Sequence, residues 1–512
     1  MAIVVFSVLL LAGLILRLPW KLLLLLAVIP AVGIFVPRNV QKWIWGGLTL
    51  FIIGVYLWIF FLPEGENSSW RTYRFDSEAD HVFSNTPQNA AVHYVEIINT
   101  HENEVFSYPY TALEDEESFL GPWSAEEFIE LGQWMDQRKP ALAALVQTAK
   151  MPWCEFEKPI DYRSYQHQQL RLKLMKAWAS VLIRSAHRDL AAGRLAEALE
   201  KELTILGMAR HLLEQGTLLD QAVGYTLAQA AGRVLHFFIL EYGGQEAMLA
   251  DIESAIGQVD SNWPQNWQLI LEGEILLAKN TAGMFYQVND KGQTRISRDL
   301  GQGLHEALGH PAYRFLRIKE LSRILVLVIW LELPTSPEGV GVTIEKRFDR
   351  YSKMVEEGKD LEYVDTWPVW MRGLNYQSVI DWNAKQQVSY YYPLRRKAIR
   401  LEALRRVTRI LIELKRYQLR EGTWPRHLED LLGGDLMAGQ LFDPVSELPF
   451  VYERMAEGFR LYGIGENKKD EGGIHNIKEG QDDRLYWPQP GWEDLFKEDS
   501  EHGNKIMGPE NR

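Results

Sequence analysis

The chain has 512 residues, 55 Lys and Arg against 68 Asp and Glu, a net charge of −13, and a single cysteine, Cys154. The length suggests about three or four domains. The acidic balance argues against a nucleic-acid binder, which would carry a basic face, and one cysteine excludes an internal disulfide, so any domain outside the cytoplasm depends on its hydrophobic core.

The first 66 residues read as a membrane anchor. Trp43–Pro63 (WIWGGLTLFIIGVYLWIFFLP) has no charged residue, and at 1.5 Å per residue it reaches roughly 30 Å as a helix, the thickness of a bilayer's hydrocarbon core. Two shorter apolar runs, Met1–Leu16 and Leu22–Val36, precede it, separated by basic residues at Arg17/Lys21 and Arg38/Lys42. Three spans are the first reading and one span with a re-entrant hairpin the second. Placing Arg38 and Lys42 inside puts the large remainder of the chain outside the cytoplasm, in contact with membrane lipid at one end.

Residues 67–392 read as an all-α domain of helix hairpins. Ala90–Glu96 predicts a short helix. Ser124 with Glu127 matches a capping box opening a helix to about Gln137, and Pro140 opens the next. From Gln168 an apolar stripe runs through Leu172, Leu174, Trp178, Val181, Leu182 and Ala186. Leu190–Leu199 then turns one helix into another; the Gly followed by Ala-Leu resembles a tetratricopeptide hairpin, with a plain helix hairpin as the first reading. Further helices are predicted at Leu218–Tyr242, Gln245–Val259, Trp267–Ala282, Ala312–Glu332 and Ile344–Gly358, and the pattern lapses over Trp367–Tyr392.

Residues 393–490 read as a long helix followed by a small β module, and 491–512 as a disordered polar tail. The helix, Leu394 to about Arg420, carries ten Arg and Lys residues from Arg395 to Arg420. A solvated basic face on a core helix is the first reading and a membrane-surface helix the second. Pro449–Arg454 and Gly458–Gly465 alternate as two strands of a hairpin. The turn Glu421–Pro425, Asp443-Pro444, Pro449–Tyr452 and Gly458–Gly465 together resemble the C-terminal part of the major pseudopilins of type II secretion. The layout of anchor, helical middle and this module is also similar to a group of planctomycete and verrucomicrobial membrane proteins, a resemblance that implies architecture and no activity. The pseudopilin resemblance implies calcium in the loop after the last strand, here Glu466–Asp483, with Asp470, Asp482 and Asp483 as ligands. Ca²⁺ takes several oxygen ligands at flexible geometry, which Asp side chains supply; a solvated acidic loop is the plainer reading of the same residues.

One segment points to catalysis. His305-Glu306-Ala307-Leu308-Gly309-His310 matches H-E-x-x-G-H and resembles the zinc motif of the dipeptidyl-peptidase III family. The resemblance implies His305 and His310 as zinc ligands, Glu306 as general base, and Glu356 or Glu357 as the third ligand. On a regular helix, histidines five apart sit about 140° from each other around the axis, so the pair needs a distorted helix to share one zinc. A loop with two hydrogen-bonded histidines is the simpler expectation. No P-loop, G-x-G-x-x-G or G-x-S-x-G element is present. The sequence therefore favours a non-enzymatic, membrane-anchored scaffold with a protein partner, in cell-envelope or secretion-related assembly, over a membrane-bound zinc metallopeptidase.

Overall fold

A computed structural model describes residues 70–75, 86–106, 121–157, 162–259, 262–296, 336–359, 361, 376–432, 436–476 and 480–488. The three N-terminal apolar runs, the HEALGH segment, the helix expected at Ala312–Glu332 and the C-terminal tail lie outside the described residues. Among the described residues no helix is long and apolar enough to cross a membrane.

The described chain is mainly helical, with small antiparallel sheets. Its helices are α1 (Ala90–Phe106), α2 (Ile129–Gln137), α3 (Lys139–Ala149), α4 (Tyr162–Ala191), α5 (Leu195–Leu213), α6 (Leu218–Phe237, continued by a π-turn at Phe238–Tyr242), α7 (Glu246–Gln258), α8 (Trp263–Gly283), α9 (Pro337–Glu356), α10 (Tyr376–Val388) and α11 (Tyr391–Glu421). The strands are β1 (Trp70–Thr72), β2 (Tyr286–Asn289), β3 (Thr294–Ile296), β4 (Val451–Arg454), β5 (Phe459–Gly463), β6 (His475–Asn476), β7 (Gln481–Asp482) and β8 (Arg484–Trp487). The chain divides into two compact units, each built from segments that are discontinuous in sequence.

The first unit holds the sheet β1-β2-β3, the end of α8, α9 and α10. The sheet departs from an all-α middle region: Trp70 pairs with Asn289 and Tyr286 with Ile296. Its strands of three or four residues are too short to show a period of two. Helix α9 starts at Ser336, whose hydroxyl accepts from Gly339 N, with Pro337 in the first turn. Val340, Ile344, Phe348, Tyr351 and Val355 make its buried stripe. The Tyr351 hydroxyl donates to Asp381 at 2.8 Å, and Arg347 pairs with the same carboxylate at 3.2 Å, which fastens α10 to α9.

The second unit is built on α5, α6 and α11. The α4–α5 hairpin turns at Gly193, where the Arg194 amide donates to Asp189 O. Helix α6 is buried on almost every side and lies so close to α11 that a Cβ on Gly232 would stand 2.3 Å from Leu404 Cδ2. Polar bonds lock the two helices: Gln229 Nε2 donates to Lys397 O at 2.9 Å and Lys397 Nζ to Thr226 Oγ1 at 2.9 Å. The Thr408 hydroxyl gives its proton to Leu404 O and accepts from His236 Nε2 at 2.9 Å.

The cations of α11 are used inside the fold. Lys415 donates to Leu240 O in the π-turn, and Arg405 to Ile256 O and Gly257 O at the end of α7, where exposed carbonyls and the helix dipole favour positive charge. Arg416 binds Glu246, Glu253 and Glu413. The helix is a core helix, as expected, but these cations are spent on carbonyls and carboxylates of neighbouring elements rather than on solvent.

After α11, strands β4-β5-β8 form an antiparallel sheet, with Val451 opposite Tyr462 and Leu461 opposite Trp487. The β4–β5 hairpin falls where alternation predicts it; β8 closes the sheet from the far side of the acidic loop. The Tyr452 hydroxyl donates to Pro425 O at 2.9 Å, tying the sheet to the turn after α11. Phe450, Phe459, Leu461 and Tyr486 form its core, and Tyr486 meets the His236 ring edge-on at 6.4 Å.

Candidate metal centre

The loop leaving β5 at Gly463 returns at β8, and the short β6–β7 pair, His475 opposite Asp482, folds it back on itself. Gly472, Gly473 and Gly480 adopt positive φ values of 72°, 78° and 75°, so the chain reverses tightly at those points. The reversals bring Asp482 and Asp483 against the start of the loop. Glu471, Asp482 and Asp483 each offer a carboxylate oxygen, and the three lie within 4.8 Å of one another.

Each of these carboxylates has one oxygen engaged. Glu471 Oε1 accepts from Asn467 Nδ2 at 2.8 Å and Asp482 Oδ2 from the Asn467 amide at 3.2 Å. Asp483 Oδ2 accepts from the amides of Glu471 at 2.8 Å and Gly473 at 2.9 Å. The second oxygen of each, Glu471 Oε2, Asp482 Oδ1 and Asp483 Oδ1, is buried without a hydrogen-bond partner. Asp483 as a residue is 0% exposed. Three carboxylates at this separation repel, and an unpartnered buried acceptor loses solvation without return. A divalent cation answers both costs. All-oxygen donors suit a hard ion, and the coordination number of Ca²⁺ leaves room for carbonyls and water. Gly465 is part of this arrangement, because a Cβ there would stand 2.2 Å from Asp482 Oδ1.

Asp482 and Asp483 of the sequence expectation come together here, and Glu471 is their third partner. Asp470 faces elsewhere: its Oδ1 accepts from the Tyr462 hydroxyl at 3.0 Å and from the Gly472 amide at 2.9 Å. Adjacent acids on a turn point in different directions, and the Gly472-Gly473 reversal selects Glu471. For the zinc expectation, His305, Glu306 and His310 lie outside the described residues. Glu356, the last residue of α9, accepts from Ser352 Oγ at 2.5 Å, and Glu357 pairs with Lys359.

Cys154, His211 and Asp220, buried elsewhere in the fold, serve packing. Burial pushes the Cys154 thiol up, away from the thiolate a nucleophile needs. His211 donates through Nε2 to Met151 O at 2.8 Å and accepts through Nδ1 from the Tyr94 hydroxyl at 3.1 Å; burial pushes it down to about 4. Asp220 binds Arg171 at 2.7 Å and accepts from Gln168 and Thr217, all within the packed start of α6.

Comparisons with protein-family models, with curated proteins and with solved structures find no match to this chain.

Proposed function

We propose that the chain is a membrane-anchored helical scaffold that binds a protein partner at the cell envelope, its C-terminal module held closed by a divalent cation, calcium by its donor chemistry. The observation that carries the cation reading is the set of three buried carboxylate oxygens, on Glu471, Asp482 and Asp483, without hydrogen-bond partners. The anchor rests on the uncharged run Trp43–Pro63, and the scaffold role on the helical packing of α5, α6 and α11, within which groups such as His211 and Asp220 are spent on structural contacts. The cation acts as a clamp: it joins the start of the 466–483 loop to its end and so fixes β8 against β5.

Thermal unfolding of the full chain in detergent tests this. A ligand of the folded state alone stabilises by RT ln(1 + [L]/Kd), about 2.7 kcal/mol at a hundredfold excess over Kd. Millimolar Ca²⁺ is expected to raise Tm, Mg²⁺ to do so less, and Asp482→Asn or Asp483→Asn to abolish the shift. An unchanged Tm in Ca²⁺ overturns the cation reading.

A further inference from the structure

Pro63 ends the uncharged run and Trp70 begins β1, seven residues on. Even fully extended, that length of chain reaches only about 25 Å, so the boundary of the proposed anchor lies close to a strand of the first unit. The strand is fastened along its length. Trp70, Arg71 and Thr72 pair with Asn289, Val288 and Gln287. The Tyr73 amide donates to Tyr286 O at 3.0 Å and its hydroxyl to Glu338 Oε1 at 3.2 Å. The Phe75 amide donates to Asn280 Oδ1 at 2.9 Å. Gly283 and Gly341 make room for this passage: an added Cβ would stand 2.6 Å from Tyr73 O at the first and 2.6 Å from Phe75 Cε1 at the second.

The register decides which end of the unit lies toward the anchor. β1 begins opposite Asn289, the last residue of β2, so the β2–β3 turn at residues 290–292 sits at the end of the sheet where the chain arrives. β1 then leads away from that end, to α8 at Asn280 and α9 at Glu338. Helix α9 carries on along α8: Glu338 meets Tyr73 beside Gly283, whereas Glu345, two turns further, pairs with Lys279, one turn back in α8. Lys353, two turns beyond Glu345, is therefore carried away from the turn. The turn itself is firmly built. Asn289 Oδ1 accepts from the amides of Lys291 at 3.0 Å and Gln293 at 2.9 Å, and Asn289 Nδ2 donates to Gln293 Oε1 at 2.9 Å. Asp290 and Lys291 are exposed. Charged side chains are costly in hydrocarbon and suit the headgroup layer. Their charges are opposite, so what holds the turn there is the short tether and not net charge.

We propose that the β2–β3 turn rests on the lipid headgroups of the bilayer that holds the anchor, with β1 as the strap that fixes the first unit against the membrane. The inference rests on the anchor reading above.

Fluorescence quenching of the full chain in lipid vesicles tests it. The only natural cysteine, Cys154, is buried, so a cysteine introduced at Lys291 or at Lys353, both exposed, is labelled selectively with an environment-sensitive dye. The vesicles contain lipid spin-labelled on the headgroup, and flotation first shows whether the chain is bound to them. The dye on Lys291→Cys is expected to lose much of its emission and the dye on Lys353→Cys little. A spacer of about twelve Gly and Ser residues inserted after Glu66, with a flexible span of roughly 20 Å, is expected to reduce the loss at position 291 while the chain still floats. Equal quenching at the two positions in a floating chain overturns the proposal and leaves the anchor standing. Quenching at position 291 that survives the spacer in full overturns the strap. A chain that does not float overturns the anchor reading and this inference with it.

Discussion

Glu202 lies in α5 with no exposed surface and neither carboxylate oxygen hydrogen-bonded. Burial pushes its carboxyl up from 4.5 to about 8, so at neutral pH the folded chain holds this group protonated and the unfolded chain does not. A raised folded value means the stability it contributes is complete below its unfolded value and is lost as pH rises through about 8. Replacing it with a similarly sized apolar side chain removes that penalty. Glu202→Met is expected to stabilise the chain by on the order of 2 kcal/mol at pH 8 and by less at pH 5, read by chemical denaturation at the two pH values. A gain independent of pH would show that packing alone is responsible. The two buried histidines act with the opposite sign: burial lowers His211 to about 4 and His236 to about 3, so their contribution is lost as pH falls below about 6.5, the ordinary histidine value. Nothing in the sequence marks Glu202, which occupies an unexceptional place in Leu195–Leu213. The acidic loop shows the same limit at finer grain: its composition announces oxygen ligands, but the choice of Glu471 over Asp470 depends on turn geometry that composition does not encode.

At the scale of elements, the contact of α6 with α11 depends on Gly232. A valine there would drive its branched carbons into Leu404, whose Cδ2 already stands 2.3 Å from an added Cβ. Gly232→Val is expected to cost about 1–3 kcal/mol, the usual range for an overpacked core, and Leu404→Ala in the same chain to recover part of it. A double-mutant cycle in urea checks this; additive effects would mean the helices separate without strain. This pairing also shows what periodicity reveals. The apolar side Ile399, Leu401, Leu404, Ile410, Leu411 and Leu414 predicts α11 from the sequence, and all of these but the half-buried Ile399 are buried; the alternation of Pro449–Gly465 predicts β4 and β5. Helix α10 is not predicted, because its described buried stripe is only Ile380, Ala384 and Val388 among polar neighbours. The helix placed at Ser124 starts instead at Ile129: the Ser124 amide donates to Glu127 Oε2 at 2.6 Å, but the Glu127 amide donates at 3.1 Å to the Ser124 carbonyl oxygen rather than to its hydroxyl, which closes a turn. Ala90–Glu96 is the first part of a 17-residue helix. Short-range capping chemistry closes turns as readily as it opens helices, and only the packing that follows decides between them.

For the whole molecule, the proposed scaffold needs an anchor that the helices of the described residues do not provide. The physical case lies in the run Trp43–Pro63, uncharged and about the length of a bilayer's hydrocarbon core. A segment of that composition carries a transfer free energy that no acidic globular surface offsets, so it should govern where the chain partitions whatever the remainder does. Lysis without detergent is therefore expected to leave the full chain with the membranes through high-salt and carbonate washes, and removal of residues 1–66 to release it. Protease added to intact cells, with the outer layers permeabilised, is expected to degrade the large domain, as follows from holding Arg38 and Lys42 on the cytoplasmic side. Protection of that domain until the inner membrane is opened would reverse the orientation. It would also place the acidic cluster in cytoplasm, where free calcium is scarce and a clamp of ordinary sensor affinity would stand empty at rest. On the proposed cation reading, orientation and occupancy would be coupled: a domain facing outward would find its clamp filled as soon as it folds, whereas one facing inward would be switched by calcium.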